Sequence, residues 1–220
     1  MSELRNIFEN DIKLFSDKWT QYFDVYETYF AKYKNKSPIV VEVGVQGGGS
    51  IQMWEKYFGE GAKIYGIDID NRILNHKPHY GKNTKLFVGD QQSPEFWDTF
   101  LKEVPEIDVF IDDGGHTMQQ QIVTFEKVFP HMSKGGIYIC EDTHTSYFEG
   151  GLDGGGYKDP ASFIEYSKEL IDIIYWNYRE PKPELDNNIM DIHSIAFFDS
   201  MVVFIKGKPW EVSRILVNEH

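Results

Sequence analysis

The chain has 220 residues, of which 41% are hydrophobic and 26% are charged. This length corresponds to one domain, or to one domain with an appendage, and the composition provides for a buried core, which excludes a disordered chain. Asp and Glu number 35 against 22 Lys and Arg, so the formal net charge is −13. Because this charge repels nucleic-acid backbones and anionic membrane surfaces, we predict neither as a partner.

The sequence carries no predicted membrane span and no secretory signal. Charged residues interrupt every apolar stretch before it reaches ~18 residues, and they occur throughout the N-terminal region. Cys140 is the single cysteine, which excludes an intrachain disulfide and a cysteine-based zinc site. These features predict a cytoplasmic protein.

The N-terminal region is predicted to be a helical extension, with the chain divided into residues 1–37 and residues 38–220. Apolar, mostly aromatic residues recur at helical spacing over residues 1–35, which predicts one helix or two. Pro38 follows the end of this pattern. The aromatic stripe fits packing against the main domain or, alternatively, a lid or a contact in a homo-oligomer.

After Pro38, short apolar strands alternate with helical stretches, which predicts a parallel sheet covered on both faces. Near the C-terminus, Ile192–Phe198 and Met201–Ile205 flank the turn Asp199-Ser200, which predicts an antiparallel hairpin. The fold class is therefore α/β: a Rossmann-like, doubly wound, mostly parallel seven-stranded sheet with a C-terminal antiparallel hairpin and an N-terminal helical extension. The predicted parallel strands are Ile39–Val43, Lys63–Ile67, Lys85–Val88, Asp108–Ile111 and Gly136–Cys140.

Helices and loops are predicted between and after these strands. The predicted helices include Pro94–Glu103, residues 117–132 and Asp159–Asn177. Two loops interrupt the C-terminal part of the chain: Gly150–Gly156, which is rich in glycine, and Arg179–Asn188, which contains two prolines.

Every parallel strand of the predicted sheet ends in acidic residues. Ligands of such sheets bind beyond the carboxyl ends of the strands, and buried carboxylates are costly unless they are paired or bind a ligand. We therefore predict a functional cleft at this edge of the sheet. The acids at the strand ends are Glu42, Asp68, Asp90, Asp112, Asp113, Glu141 and Asp142.

The first strand leads into a glycine-rich loop, Glu42–Ser50 (EVGVQGGGS). Its spacing is neither the G-x-G-x-x-G of dinucleotide sites nor a Walker phosphate loop, which argues against a nicotinamide cofactor. Glycines let the backbone approach a ligand closely, so the loop fits a nucleoside whose sulfonium or ribose lies over it. We assign Glu42, Gly44, Gly47 and Ser50 to cofactor binding.

Two further strand ends complete the predicted cofactor site. Asp68, at the end of the second strand, is placed to accept hydrogen bonds from both ribose hydroxyls, and Asp70 is the competing candidate. Asp90 and Gln91 follow the third strand, where the adenine edge is expected, and the Asp90 carboxylate can accept from the exocyclic amine.

The densest group of acids follows the fourth and fifth strands, in Asp112-Asp113 and Glu141-Asp142. If these strands are neighbours, the carboxylates converge, and they repel one another unless a cation compensates. Carboxylate oxygens suit Mg²⁺. Because side chains alternate along a strand, Asp112 and Asp113 cannot both face the metal. We favour Asp113 as the ligand and expect Asp112 behind the ligands or on the cofactor side.

A histidine lies next to these acids. His116 follows Asp113 by three residues, on a loop from which it can reach a substrate hydroxyl held on the metal. These surroundings favour a catalytic general base, and a single histidine is too few for a zinc site. His144 is a weaker candidate base.

This order of motifs resembles that of the class I S-adenosylmethionine-dependent methyltransferases. More narrowly, it is similar to the metal-dependent sugar O-methyltransferases of the macrocin and mycinamicin type. The resemblance covers about residues 38–206. The motifs that carry it are Glu42–Ser50, Met53-Trp54, Tyr65–Asp70, Gly89–Gln91, Ile111–His116, Phe129–His131, Gly135-Gly136, Glu141–Thr143, Thr145–Tyr147 and Asp199–Val203.

The resemblance implies roles for individual residues, and it makes residues 38–220 a class I methyltransferase domain. His116 is implied to be the general base. The implied Mg²⁺ ligands are Asp113, Glu141 and Asp142. The residues implied to hold S-adenosylmethionine are Glu42, Gly44, Asp68 and Asp90.

We therefore predict an S-adenosylmethionine-dependent, Mg²⁺-dependent O-methyltransferase that acts on a hydroxyl of a sugar or a glycosylated small molecule. A sugar diol is the favoured acceptor, because two adjacent oxygens can ligate the metal while His116 removes the proton. A catechol O-methyltransferase would use the same metal chemistry and is one alternative. The other is a non-catalytic S-adenosylmethionine-binding module, which has no need of the acid cluster.

Overall fold

The computed structural model describes residues 2–150, 154–178, 180, 191–208, 213–215 and 217. Of the predicted glycine-rich loop Gly150–Gly156, residues 151–153 lie outside the described residues, and so does the predicted loop Arg179–Asn188 except for Glu180. Within the described part of the chain, no helix combines the length and the apolar character that crossing a membrane requires.

Seven strands of the described residues form one sheet. They are β1 (Ile39–Val43), β2 (Lys63–Asp68), β3 (Thr84–Val88), β4 (Ile107–Asp112), β5 (Met132–Cys140), β6 (Ile192–Phe198) and β7 (Met201–Lys206). Their order across the sheet is β3-β2-β1-β4-β5-β7-β6. Strands β1 to β5 pair in parallel, and β7 pairs antiparallel with both β5 and β6. The predicted Rossmann-like sheet and its C-terminal hairpin are confirmed.

Helices cover both faces of this sheet. They are α1 (Glu3–Asn10), α2 (Tyr22–Phe30), α3 (Gly49–Phe58), α4 (Pro94–Glu103), α5 (Met118–Val128), α6 (Phe163–Glu169) and α7 (Ile171–Ile174). Segments of 3₁₀ helix occupy Ala31–Tyr33, Asn71–His79, Phe129–His131, Thr143–Tyr147 and Trp176–Tyr178. Helices α1 to α3 bury their apolar residues on one face of the sheet, and α4 to α7 do so on the other.

Successive residues of each central strand enter opposite cores. In β1, Val40 packs with α1 to α3, whereas Val41 and Val43 pack with α4 to α7. In β5, Ile139 packs with α1 to α3, whereas Cys140 packs with α4 to α7. Cys140 is a buried free thiol. Because strand side chains alternate between the faces and both faces are covered, these strands read as continuous apolar runs.

The N-terminal region departs from the helical pattern that its aromatic stripe predicts. Residues 11–21 between α1 and α2, hereafter the N-terminal segment, are not helical. The Gln52 side chain accepts hydrogen bonds from the backbone N–H groups of Lys13 (2.8 Å) and Leu14 (3.0 Å). The carbonyl oxygen of Phe15 accepts another from the N–H of Gly49 (3.0 Å). These contacts with α3 use backbone groups that a continuous helix would pair internally.

The aromatic stripe of α2 packs into the core of the domain. Tyr26 and Phe30 contact Trp54 of α3 edge-on, with ring centroids 5.2 and 5.7 Å apart. All three side chains are fully buried. Core packing is therefore the observed role of this part of the stripe, and the division of the chain at residues 37 and 38 stays a prediction.

Two other predicted helices are shorter in the structure. The predicted helix 117–132 ends at Val128, where a 3₁₀ turn containing Pro130 leads into β5, since proline cannot continue the hydrogen-bonding pattern of a helix. The predicted helix Asp159–Asn177 begins only at α6, where the Ser162 side chain accepts a hydrogen bond from the Glu165 N–H (3.2 Å). Ser162 is a favourable N-cap and sets this start.

The strand order reverses direction at β1, which lies between β2 and β4. In such sheets a crevice forms at this point, beyond the carboxyl ends of the strands. Gly44 follows β1 with φ +97°, and its N–H donates to the carbonyl oxygen of Ile67 (2.8 Å). A Cβ atom at Gly44 would overlap the carbonyl oxygen of Asp113. Glycine is therefore required here for the two strand ends to approach each other.

Gly44→Ala is expected to lower the free energy of unfolding by about 2–5 kcal/mol, since a left-handed backbone costs an L-residue ~1–2 kcal/mol and forced overlap adds ~1–3 kcal/mol. Gly135→Ala is the matched control, because Gly135 also has a positive φ (+83°) but an added Cβ would meet no atom within 4 Å. Urea denaturation measures both variants. Equal losses would contradict the close approach of the ends of β1 and β4.

Candidate active site

A cavity of about 670 Å³ opens at the carboxyl ends of the parallel strands, next to the reversal of strand order. Its volume lies in the range of small-molecule sites. The predicted cleft is thus present, and the N-terminal segment supplies part of its wall. The residues that line the cavity include Ser16, Asp17, Lys18, Trp19, Tyr22, Gly44, Ser50, Asp68, Asp70, Asp90, Gln91, Asp113, His116, Glu141 and Asp142.

The residues of the glycine loop after β1 occupy different places. Gly44 and Ser50 line the cavity, and the Ser50 hydroxyl donates to Glu42 Oε2 (2.7 Å). Glu42 is fully buried behind them, and its Oε1 accepts no hydrogen bond from the described residues. Gly47 faces Phe15, whose carbonyl oxygen would lie 2.6 Å from an added Cβ. Gly47 is not among the residues that line the cavity, and its predicted cofactor contact stays a prediction.

Asp68 lines the cavity at the end of β2. Its Oδ2 accepts a hydrogen bond from the Gln46 N–H (2.8 Å), and its Oδ1 accepts one from the Asp70 N–H (2.9 Å). These bonds orient the carboxylate, and each oxygen keeps a lone pair for a ligand hydroxyl. Asp70 lines the cavity as well, but its carboxylate is paired with Arg72. The geometry therefore favours Asp68 over Asp70 as the carboxylate that accepts hydrogen bonds from the ribose hydroxyls.

Asp90 and Gln91 follow β3 in opposite environments. Asp90 is exposed at the cavity wall. Gln91 is buried, and its side-chain amide donates to Asp112 Oδ1 (3.0 Å) and accepts from the Gly115 N–H (2.8 Å). Gln91 thus braces the loop that carries His116, a role that the sequence did not indicate. Its predicted contact with a cofactor stays a prediction.

Asp112 and Asp113 point to opposite sides, as strand alternation predicts. Asp113 lines the cavity, whereas Asp112 lies behind the wall. Asp112 accepts hydrogen bonds from the amide of Gln91 and, at 3.1 Å, from the hydroxyl of Tyr138. Burial raises the pKa of Asp112 to about 7, although these hydrogen bonds oppose the shift. Its predicted contact with a cofactor also stays a prediction.

Asp113, His116 and Asp142 form a cluster that is able to surround a cation, because one ligand atom of each lies within 4.8 Å of the others. His116 Nε2 lies 3.4 Å from Asp142 Oδ2. His116 Nδ1 is buried without a hydrogen bond to the described residues. The backbones of His116 (φ +58°) and Asp142 (φ +52°) are left-handed, a strained conformation that is enriched at functional sites.

Glu141, the third predicted metal ligand, is bound by other residues. Lys18 Nζ donates to Glu141 Oε2 (3.0 Å) and Oε1 (3.2 Å), and the Tyr26 hydroxyl donates to Oε1 (2.5 Å). The same ammonium lies 2.5 Å from Asp113 Oδ2 and 3.6 Å from Glu42 Oε1. Lys18 therefore occupies the space between three carboxylates.

The Lys18 ammonium is a permanent charge in this site. Its side chain is only 1% exposed. Burial lowers the pKa of Lys18, but the electrostatic influence of Asp113, Glu141, Tyr26 and Glu42 together outweighs it, so that the net pKa lies well above its ordinary value. Burial raises the pKa of Glu141, and Lys18 acts in the opposite direction. Lys18 consequently stays protonated and serves as the counter-ion of the buried acids.

The sequence interpretation missed this contribution of the N-terminal residues. Lys18, Tyr22 and Tyr26 are spaced by four residues, and all three reach the acids. The Tyr22 hydroxyl donates to Asp142 Oδ1 (2.6 Å). Buried tyrosine hydroxyls need a hydrogen-bond partner. The four-residue spacing of Lys18, Tyr22 and Tyr26, whose side chains end in polar groups, was therefore the sequence signal from which contacts with the acids could have been predicted.

Aromatic side chains lie beside the cluster on its outer side. The ring of His144 lies 6.2 Å from that of Trp19 and 5.3 Å from that of Phe148. Trp19 and Phe148 are each about half exposed. His144 Nδ1 is hydrogen-bonded to the Ser200 hydroxyl. His144 Nδ1 also lies 3.9 Å from Asp142 Oδ1, and the role of His144 as a weaker candidate base stays a prediction.

The chain is similar in sequence and fold to known methyltransferases. Residues 41–143 match the family model described as a methyltransferase domain. The 8-demethyl-8-alpha-L-rhamnosyl tetracenomycin-C 2'-O-methyltransferase of Streptomyces olivaceus is 34% identical over 169 residues, which cover 71% of this chain and 42% of that protein. The mycinamicin VI 2''-O-methyltransferase of Micromonospora griseorubida is 32% identical over 194 residues, which cover 79% of this chain and 46% of that protein.

The fold comparison agrees with the sequence comparison. The crystal structure of the MycE methyltransferase of the mycinamycin biosynthetic pathway, in complex with Mg and SAH, superposes with a TM-score of 0.81. It is 26% identical, and the match covers 94% of this chain and 54% of that one. The chain thus spans about half the length of the relatives that it matches. Because its sequence and its overall fold agree with these proteins, the chain belongs to the class I S-adenosylmethionine-dependent methyltransferases.

Proposed function

We propose that this chain transfers the methyl group of S-adenosylmethionine to a hydroxyl of a sugar or a glycosylated small molecule, and that it requires Mg²⁺. One observation carries the proposal: a single cavity joins the oriented carboxylate of Asp68 to the cluster of Asp113, His116 and Asp142. The relatives support it, since they are named as O-methyltransferases of glycosylated compounds and the MycE structure contains Mg and SAH.

The polar groups of the cavity fit both small molecules. Asp68 has free lone pairs toward the cavity for the ribose hydroxyls, and Asp90 is exposed where the adenine would lie. Asp113 and Asp142 offer the hard oxygen donors that Mg²⁺ prefers, and Glu141 is adjacent. A divalent cation at this cluster would lower the pKa of a hydroxyl that ligates it.

His116 is the proposed general base, acting through Nε2. This nitrogen faces Asp142, whose carboxylate stabilises the imidazolium that forms when the proton arrives. The acceptor oxygen forms a bond to the methyl carbon while the bond between methyl and sulfur breaks, and the hydroxyl proton moves to Nε2. Thr145 holds the loop in place, because its hydroxyl donates to the carbonyl oxygen of His116 (2.9 Å).

Three expectations from the sequence stay predictions within this proposal. A cytoplasmic location is supported by Cys140, which is a buried free thiol. The absence of a nucleic-acid partner is supported by the net charge of −13. A homo-oligomer is the third.

The acceptor class is tested by methyl transfer from labelled S-adenosylmethionine. We expect transfer to glycosides with two adjacent free hydroxyls, loss of transfer with EDTA, and recovery with excess Mg²⁺. The matched control is the same glycoside with the neighbouring hydroxyl blocked, which we expect to be a poor acceptor because it offers one ligand oxygen fewer. Methylation of catechol without any glycoside would favour the catechol alternative, and transfer that survives EDTA would refute the metal requirement.

Asp68→Ala is expected to weaken binding of S-adenosylmethionine and S-adenosylhomocysteine at least about tenfold, since a charge-assisted hydrogen bond contributes ~1.5–3 kcal/mol. Isothermal titration calorimetry measures the affinity. Asp70→Ala is the control at the same strand end, and it should stay within about twofold, because Asp70 is already paired with Arg72. The reverse order of effects would move the ribose contact to Asp70.

His116→Asn is expected to lower kcat by about 10²–10⁴-fold, the usual contribution of a general base. Asparagine tolerates the left-handed backbone at this position, so the loop should keep its shape. Calorimetry should show unchanged binding of S-adenosylhomocysteine. His79→Asn, at an exposed histidine outside the cavity wall, should behave as the unmodified protein. A normal kcat for His116→Asn would remove His116 from the reaction.

A further inference from the structure

The Lys18 ammonium lies at two carboxylates that are predicted to bind Mg²⁺. Its Nζ lies 2.5 Å from Asp113 Oδ2 and 3.0 Å from Glu141 Oε2. Both carboxylates are among the predicted ligands of Mg²⁺. A carboxylate oxygen that is bonded to an ammonium at these distances offers less negative charge to a second cation, because the two cations repel each other.

We propose that Lys18 is a positioning residue that competes with the divalent metal for Asp113 and Glu141, and thereby sets the metal affinity of the site. The inference rests on the proposed function. Lys18 supplies one positive charge from within the chain, so the acids stay compensated when no metal is bound. Metal binding then has to displace or weaken existing ion pairs, which lowers the apparent affinity.

The surroundings of Lys18 support a role in the site rather than in packing alone. Its neighbours at hydrogen-bond or ion-pair distance are Glu42, Asp113 and Glu141, all at the strand ends. The side chain reaches them from the N-terminal segment, which is held to α3 by backbone hydrogen bonds of Lys13 and Leu14. The ammonium is therefore placed by tertiary contacts at a fixed point.

The acids of the cluster differ in their hydrogen-bond partners. Both oxygens of Glu141 accept from Lys18, and Oε1 accepts from Tyr26 as well. Asp142 instead accepts from Tyr22 and faces His116. Lys18 thus acts most strongly on Glu141 and Asp113, while Asp142 is left for the metal and the base.

The test is calorimetric titration of Mg²⁺ into the full chain without cofactor, comparing the unmodified protein with Lys18→Met. Methionine keeps an unbranched side chain and removes the charge. We expect Lys18→Met to bind Mg²⁺ at least about tenfold more tightly, because the repelling charge is gone and the acids need compensation. Lys13→Met is the control, since Lys13 lies on the same segment and is exposed.

A second variant shows whether the effect passes through Glu141. In the background Glu141→Gln, which removes the carboxylate charge, the gain from Lys18→Met should be smaller but not lost, because the ion pair between Lys18 and Asp113 remains. An equal gain in both backgrounds would overturn the part of the proposal that assigns the competition to Glu141.

A measurement on the unmodified protein covers the case in which Lys18→Met does not fold. Nitrogen-15 spectra of the lysine ammonium groups should show Lys18 as a protected signal, assigned by its absence in Lys18→Arg. Titration with Mg²⁺ should shift or remove this signal with the same midpoint as the calorimetric titration. A signal that stays unchanged at saturating Mg²⁺ would overturn the competition.

The outcomes separate this inference from the function on which it rests. Equal or weaker Mg²⁺ binding by Lys18→Met overturns the role of Lys18 and leaves the methyl-transfer proposal in place. Absence of Mg²⁺ binding in every variant, together with methyl transfer that resists EDTA, overturns both the metal requirement and the role of Lys18.

Discussion

Electrostatic repulsion among the acids at the carboxyl edge of the sheet is the constraint on which the site depends. Glu42, Asp113 and Glu141 approach one ammonium, and Asp142 lies next to His116. Carboxylates that are buried together protonate or destabilise the fold unless positive charge compensates them. The chain meets this requirement with Lys18 and with the hydroxyls of Tyr22 and Tyr26, all of which come from its N-terminal part.

The fold tolerates this charged edge because its stability comes from the apolar cores on the two faces of the sheet. Two separate apolar cores lie on the two faces of the sheet, and the central strands are buried on both sides. Glu42 precedes the last residue of β1, and the other acids lie at the last residue of a strand or in the loop that follows, so the acids stay at one edge of the two cores. Gly44 completes the arrangement, since its missing side chain lets the ends of β1 and β4 meet.

The site has a rigid inner side and an exposed outer side. On the inner side, Gln91 and Thr145 hold the loop of His116 by hydrogen bonds to backbone atoms. On the outer side, Trp19 and Phe148 present half-exposed aromatic rings on either side of His144. A braced base suits proton transfer, which needs a fixed geometry, while aromatic faces suit the apolar side of a sugar ring.

The sequence by itself determined the order of strands and helices, the hairpin, the acids at the strand ends and the choice of Asp113 over Asp112 as the cavity-facing residue. These features follow from local periodicity and from side-chain alternation, which depend on neighbours in the chain.

Only the tertiary structure decided that residues 11–21 are not helical, that Gln91 braces the loop and that Gly47 faces Phe15. It also decided that Lys18 enters the acid cluster, 95 residues in sequence from Asp113 and 123 from Glu141. Contacts over such separations depend on how whole elements pack, so the spacing of Lys18, Tyr22 and Tyr26 indicates polar groups within the aromatic stripe but does not identify their partners.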